Sequence, residues 1–385
     1  MANYRKRIAD QLLIKKLKSA GAVLIEGPKW CGKTTTAEQI AASILYMDEP
    51  EKKEQNIRMA EIKPAILLQG EKPRLIDEWQ IAPTLWDSIR FAVDHGGNEG
   101  SFILTGSSVP ADLSKVEHSG TGRFARIRMR PMSLFESGDS NGEVSIRALM
   151  QKQPEKNLIS VNTLDLDDLA YLVCRGGWPR AVIQQDKEVA LDQAVNYYES
   201  VVANDISRMD GVRRDEQRTK LLMRSYARNQ GAQVSNSVLK ADMAANDSSM
   251  LDEDTVLSYV HALKKIFVVE DLPAWNPNLR SRTVVRTSDT RYFTDPSIAT
   301  AALGIHPYDL LNDLETFGLI FETLCIRDLR VYADALGGRI YHYRDKSGLE
   351  CDAVIHLRNG NYGLVEVKLG GDQSINEGAE SLLKL

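Results

Sequence analysis

Gly27-Pro28-Lys29-Trp30-Cys31-Gly32-Lys33-Thr34-Thr35 is a complete G-x-x-x-x-G-K-[ST] loop, and its surroundings decide the fold. The apolar run Ala22 to Ile25 before it suits a buried parallel strand, and Thr35 to Ser43 after it has helical composition. Gly27 and Gly32 let the backbone curve with its N–H groups turned inward around phosphate oxygens. Lys33 brings a point charge to the β and γ phosphates, and Thr34 offers its hydroxyl to Mg²⁺. The opening turn of the helix, at Thr35, adds free N–H groups and the positive end of its dipole. Such a loop implies a bound nucleoside triphosphate, with Pro28, Lys29, Trp30 and Cys31 filling its variable positions.

A strand of this kind needs a second one ending in an acid. Arg74-Leu75-Ile76-Asp77-Glu78-Trp79 provides it with two. Asp77 is the candidate to hold Mg²⁺ through water, and Glu78 the candidate to orient and polarise the attacking water. A third apolar run, Ser101 to Leu104, ends in Thr105-Gly106-Ser107-Ser108, where a γ-phosphate sensor belongs; Ser107 is favoured among them. Those serines equally suit the cap of a helix near Ala111 to Ser114. Residues Gly122 to Arg130 alternate at period two, which places Arg126, Arg128 and Arg130 on one face of a strand and Ile127 and Met129 on the other. Arg123 stands apart in the glycine turn, a candidate arginine finger for its own or a neighbouring subunit.

The Gly27 to Thr35 loop, the Leu75 to Trp79 and Leu104 to Ser108 strands and the Gly122-Arg123 step resemble the prokaryotic AAA-type ATPases joined to a C-terminal domain of unknown function. Tyr4 and Arg7 ahead of the first helix, and Gly176-Gly177-Trp178-Pro179 after the core, extend the resemblance over nearly the whole chain. It implies an α/β P-loop domain with a parallel sheet of order 5-1-4-3-2 over residues 1–150, then a helical lid or connector over 151–207. The absence of an N-K-x-D guanine motif, together with the resemblance, points to ATP with Mg²⁺.

Beyond the core, Arg208 to Arg228 is locally basic, and Val234 to Ala241 and Asp252 to Phe267 read as helices. Val268 to Trp275 and Thr283 to Phe293 read as strands, with Arg280, Arg282 and Arg286 on or between them. Three helices and a two-stranded wing make residues 208–300 winged-helix-like, and the resembling family is similar here. Such a module contacts double-stranded DNA or serves as a packing and protein-interaction element; Asp252, Glu253 and Asp254 at the start of its third helix would repel phosphates.

Residues 301–385 read as a restriction-endonuclease-like α/β domain. Thr316 to Tyr332 is a helix bearing Glu322, and Arg339 to Tyr343, Glu350 to Leu357 and Tyr362 to Leu369 are strands, the last two carrying Asp352 and Glu366-Val367-Lys368. In nucleases of that fold the matching carboxylates bind Mg²⁺ and the lysine activates water. Solvated charges on alternating strands are the plainer explanation of the same residues. The expected strand after the Glu366 to Lys368 motif is missing before Leu385.

The 385 residues carry a net charge of -5, which argues against a generally basic nucleic-acid coat. Cys31, Cys174, Cys325 and Cys351 have no metal-type spacing and suit reduced thiols; with no apolar run of signal or membrane length, the expectation is a cytoplasmic protein with no membrane partner. The AAA resemblance makes a homo-oligomer an expected form.

Overall fold

The computed structural model describes residues 4–96, 99–108, 120–150, 160, 163–208, 211–245, 252–276, 288–345 and 348–385. The chain divides into two compact units. The first comprises Met1–Pro131, Asp205–Arg213 and Lys265–Phe267, and the second Met132–Asn204, Arg214–Lys264 and Val268–Leu385.

The first unit is a five-stranded parallel sheet. Strands β1 (Ala22–Glu26), β2 (Ser43–Tyr46), β3 (Arg74–Asp77), β4 (Phe102–Gly106) and β5 (Phe124–Arg128) lie in the order β2-β3-β4-β1-β5, the expected topology. Apolar side chains fill both faces because helices cover both. Ala22, Leu24, Ile76 and Leu104 face Trp79, Trp86 and Ile89. Val23, Ile25, Leu75 and Ile103 face Leu13 and Ala37. The helix after the phosphate loop is shorter than its composition suggests, running only from Lys33 to Glu38. Pairing ends it: Ala42 N–H donates to Pro73 O at 2.8 Å, and Ser43 to Tyr46 then run beside β3. Sheet register here outweighs a helix propensity of a few tenths of a kcal/mol per residue.

In the second unit, helices span Leu166–Arg175, Lys187–Ser200, Glu216–Arg228, Asn236–Ala244 and Glu253–Lys265. Among the described residues, the expected wing strands meet only at two isolated antiparallel bridges, Val269 with Phe293 and Leu272 with Thr290. Arg280, Arg282 and Arg286 lie outside the described residues, as does the helix expected near Ala111. The basic stretch does not form one charged face. Arg214 is buried, and Arg228 is tied to Asp242 (Nη2 to Oδ1, 2.5 Å), while Arg213, Lys220 and Arg224 are exposed.

Strands β6 (Gly338–Arg344), β7 (Glu350–Leu357) and β8 (Tyr362–Val365) form an antiparallel sheet in that order, with the Leu314–Ala335 helix packed on one face through Ile326, Leu329 and Ala333. The last strand was expected to run to Leu369, but it stops at Val365. Its final pair is Ala353 with Val365. The next ladder bond is replaced by a side chain, since Asp352 Oδ2 accepts the Val367 N–H at 2.7 Å.

The Gly176-Gly177-Trp178-Pro179 turn belongs to a buried ion network. Arg327 Nη1 lies 2.9 Å from Asp295 Oδ2 and its Nη2 2.7 Å from Asp328 Oδ1, with Arg327 and Asp295 essentially inaccessible. Gly177 N–H donates to Asp295 Oδ2 at 3.0 Å, Trp178 Nε1 to Ser297 Oγ at 2.9 Å, and Leu134 N–H to Asp328 Oδ2 at 2.9 Å. A Cβ on Gly176 would stand 2.4 Å from Asp295 Oδ1, so the turn admits only glycine there.

Candidate functional site

The loop leaves β1 at Glu26 and enters the Lys33–Glu38 helix, whose cap Gly32 has φ 94°, in the left-handed region that glycine adopts freely. At Gly27 the constraint is space: a Cβ would stand 2.1 Å from the Met129 carbonyl oxygen. Lys33 is buried, and its Nζ donates to Gly27 O at 2.9 Å and Pro28 O at 2.7 Å, so the ammonium is already held inside the curve of the loop. Pro28 and Cys31 are buried, whereas Lys29, Trp30 and Thr35 are exposed. Trp30 has φ 65°, a conformation that costs a non-glycine residue about 1 kcal/mol or more.

Thr34 Oγ1 donates to Asp77 Oδ1 at 2.7 Å, and Thr105 Oγ1 donates to the same oxygen. The hydroxyl and carboxylate proposed for Mg²⁺ therefore touch, although one comes from the helix after the loop and the other from the end of β3. Glu78 follows with φ 54°, also left-handed. Its Oε2 accepts from Ser107 Oγ at 3.1 Å and from Gln80 Nε2. Burial raises both carboxyls above their ordinary range; hydrogen bonds and the nearby Lys33 charge oppose the rise. A half-buried carboxylate aimed and fixed by two donors has the properties of a base for water. Lys33, Thr34, Asp77, Glu78 and Ser107 are thus linked at the carboxyl-terminal ends of β1, β3 and β4. The residue set fits a nucleotide phosphate with Mg²⁺: one hydroxyl, one carboxylate, one ammonium and a backbone cradle that a side chain would fill.

Arg123 does not join this group within its own chain. In β5, Phe124 pairs with Ala22 and Arg128 with Glu26, so Arg123 stands at the amino-terminal end of the strands, the opposite end from the loop. The 5 residues of β5 separate the two, about 16 Å. Its guanidinium is engaged there, with Nε 2.7 Å from Asp94 Oδ1. Arg126, one of the three arginines read as sharing a strand face, is exposed and pairs with Glu26 at 2.8 Å, and Arg128 lies over the Phe267 ring at 4.1 Å.

Tyr4 and Arg7, noted in the resemblance, and Lys29 have contacts that no local pattern in the sequence announces. Arg7 Nη1 donates to Cys31 O and Nη2 to Arg130 O, both at 2.8 Å, which fixes the loop from behind. Tyr4 Oη bonds Asp10 Oδ1 at 2.6 Å and Thr36 Oγ1 at 3.0 Å, bracing the helix that follows the loop. Lys29 Nζ lies 2.5 Å from Asp205 Oδ1, a partner 176 positions away.

A second group of charged residues lies in the other unit. The Tyr292 hydroxyl donates to Glu322 Oε1, and Lys368 Nζ lies 2.7 Å from Glu366 Oε1. Burial, reinforced by the Asp352 charge, pushes Glu322 up to about 7; burial also pushes Asp352 up to about 6. Glu322, Asp352, Glu366 and Lys368 act on one another electrostatically, so the structure brings them into one neighbourhood. Glu366 Oε2 is buried without a hydrogen-bond partner, in a side chain 10% exposed. Glu366 and Lys368 line a cleft of about 580 Å³ with Phe321, Cys325 and Tyr332. They sit just past the end of β8 and not on the strand. Among the described residues, no three His, Cys, Asp or Glu side chains are already gathered as a metal site.

Residues 19–137 match the family model of an AAA domain. Residues 166–309 and 317–384 match two domains of unknown function, DUF8612 and DUF4143. Over 380 residues the chain is 23% identical to uncharacterised proteins of Mycobacterium bovis and of Mycobacterium tuberculosis, covering 98% of this chain and 77% of each relative. Among solved structures, a Walker-type ATPase of Pyrococcus abyssi aligns with 78% of this chain and 96% of its own at 15% identity and TM-score 0.47. A chain of the Drosophila origin recognition complex bound to DNA aligns with 77% and 85% at 13% identity and TM-score 0.20. Among the described residues, no helix is long and apolar enough to cross a membrane. The phosphate loop, the acid pair and the β2-β3-β4-β1-β5 sheet lie inside the first matched segment, so the chain carries an AAA-type P-loop domain followed by segments that match two domains of unknown function.

Proposed function

We propose that the chain hydrolyses ATP with Mg²⁺ and that its nucleotide state controls the C-terminal segments, whose target is double-stranded DNA or a protein partner. One observation carries the reading: Asp77 and Glu78, adjacent in the chain, are held by different donors for different tasks, Asp77 by Thr34 and Thr105 and Glu78 by Ser107 and Gln80. When bound, Mg²⁺ neutralises charge on the β and γ phosphates. Thr34 and Asp77 are the residues to hold it, Lys33 pairs with the phosphates, Glu78 orients the water, and Ser107 couples Glu78 to the γ end. Phosphate release from ATP, followed with Mg²⁺ or with EDTA and with or without duplex DNA, tests the proposal. Mg²⁺-dependent release supports hydrolysis, and stimulation by DNA assigns the target. Tight ATP binding with no release reduces the chain to a nucleotide-gated binding switch. An Arg123 finger is proposed only toward a neighbouring copy in a homo-oligomer; full turnover by Arg123→Ala at every protein concentration removes it.

A second reading, a Mg²⁺-dependent nuclease governed by the ATPase, is supported by the unpartnered Glu366 oxygen beside Lys368, Asp352 and Glu322. Plasmid cleavage with Mg²⁺ or Mn²⁺, abolished in Lys368→Ala, would establish it. Absence of cleavage under both metals would leave that segment a binding scaffold.

A further inference from the structure

The antiparallel sheet has one face on the core and one turned away from it. Ile340, Ala353, Ile355 and Val365 meet the Leu314–Ala335 helix. Strand alternation therefore turns Tyr341 and Tyr343 of β6 to the other face, beside His356 of β7 and Tyr362 of β8, which pair directly across the strands. Trp275 lies over this face. Its N–H donates to His342 O at 2.7 Å, and the neighbouring Pro273 O accepts from His342 N–H at 2.9 Å, so two backbone bonds pin the indole to the sheet edge.

The indole centroid is 4.9 Å from that of Tyr362 and 6.2 Å from those of His356 and Tyr343. Tyr362 is 56% exposed, and Trp275, Tyr341, Tyr343 and His356 are half-buried. On the same alternation stand Arg339, which pairs with His356 across the strands, and Arg358 just past β7, both exposed; Arg344, 52% exposed and only loosely paired with Glu350 at 3.6 Å, ends β6 on the other alternation. Asp345 is a further acid at that end, and its carboxylate accepts the Leu349 N–H at 3.1 Å.

We propose that this face binds single-stranded nucleic acid, with bases stacked on Tyr362 and its neighbouring rings and phosphates met by the arginine rim. Arginines on a chain of net charge -5 mark a local surface for a polyanion, and flat rings between them mark one that offers free base faces. A duplex hides those faces inside its own stack, so the single strand is the committed ligand. The proposal goes beyond the ATPase and nuclease readings and rests on neither.

Fluorescence anisotropy on the full chain tests it, in EDTA so that no metal chemistry intervenes. The probes are a labelled thymidine oligonucleotide, a uridine oligonucleotide of equal length and the corresponding DNA duplex, at low and at raised salt. The expected result is salt-dependent binding of a single strand ahead of duplex, weakened about 5- to 100-fold in Tyr362→Ala and kept in Tyr362→Phe. Arg358→Glu, a substitution at an exposed site, weakens binding with the aromatic rings intact. Binding of both single strands means that bases and phosphates suffice; preference for one adds a contact to the sugar 2′ position or to the thymine methyl. No single-strand binding at low salt, duplex bound equally well, or unchanged affinity in a folded Tyr362→Ala overturns the proposal.

Discussion

Glu78 shows most plainly what individual residues contribute. A left-handed backbone at a glutamate stores strain of about 1 kcal/mol or more, and the two side chains holding its carboxylate come from beyond the strand end. Lys33 is equally committed, buried against the carbonyls of its own loop. Lys33→Ala is expected to abolish detectable ATP binding while leaving the fold intact, which titration of a fluorescent ATP analogue would show. His342 carries a pH effect. Burial lowers its imidazole from 6.5 to about 4, and Gln233 Nε2 faces its Nδ1 at 3.0 Å. Between those values the unfolded chain binds the extra proton, so stability is full above pH 6.5 and falls as pH drops through about 4, by up to about 3 kcal/mol. Melting curves across that window should be flatter in His342→Gln, whose amide does not titrate; an unchanged slope would rule His342 out as the source.

Elements explain how residues so far apart meet. Parallel strands β1, β3 and β4 were legible because each is an apolar run ending in a functional residue, and the loop spacing fixes where the helix begins. What sits behind the loop was not legible. Arg7 reaches two carbonyls, one of them 123 positions away, and Lys29 reaches Asp205; neither pairing leaves a local pattern. Arg7→Ala would leave the Cys31 and Arg130 carbonyls without this charged donor, a loss of about 1 to 3 kcal/mol, and should weaken ATP binding along with stability. Lysine at that position supplies charge without the two-pronged reach and should recover only part of the loss, as isothermal titration would measure. The Glu366-Val367-Lys368 motif was recognised, yet its place beyond the strand was not, because a side chain, Asp352, accepts the Val367 N–H just past the last strand pair.

At the scale of the whole molecule, two units of different make-up share one chain. The first derives its shape from a sheet buried on both faces. The second is held in part by a buried arginine between two carboxylates, Asp295 and Asp328. Removing the arginine strands both, so Arg327→Met is expected to cost about 3 to 5 kcal/mol and to lower the second unit's melting temperature. That network accounts for the Gly176 to Pro179 signature, whose role no local pattern in the sequence discloses. Ligand should act on the other unit. ATP with Mg²⁺ at a hundred times its Kd would add about 2.7 kcal/mol to the first unit alone, which differential scanning calorimetry can read as a shift confined to one transition.

Glu78, proposed as the base at a Mg²⁺ and ATP site, is the residue on which hydrolysis depends. The most direct test is steady-state phosphate release by wild type and Glu78→Gln, with ATP affinity measured on both proteins. Retained affinity with turnover lowered about 10²- to 10⁴-fold is the predicted result. Equal turnover by the two proteins would contradict the assignment.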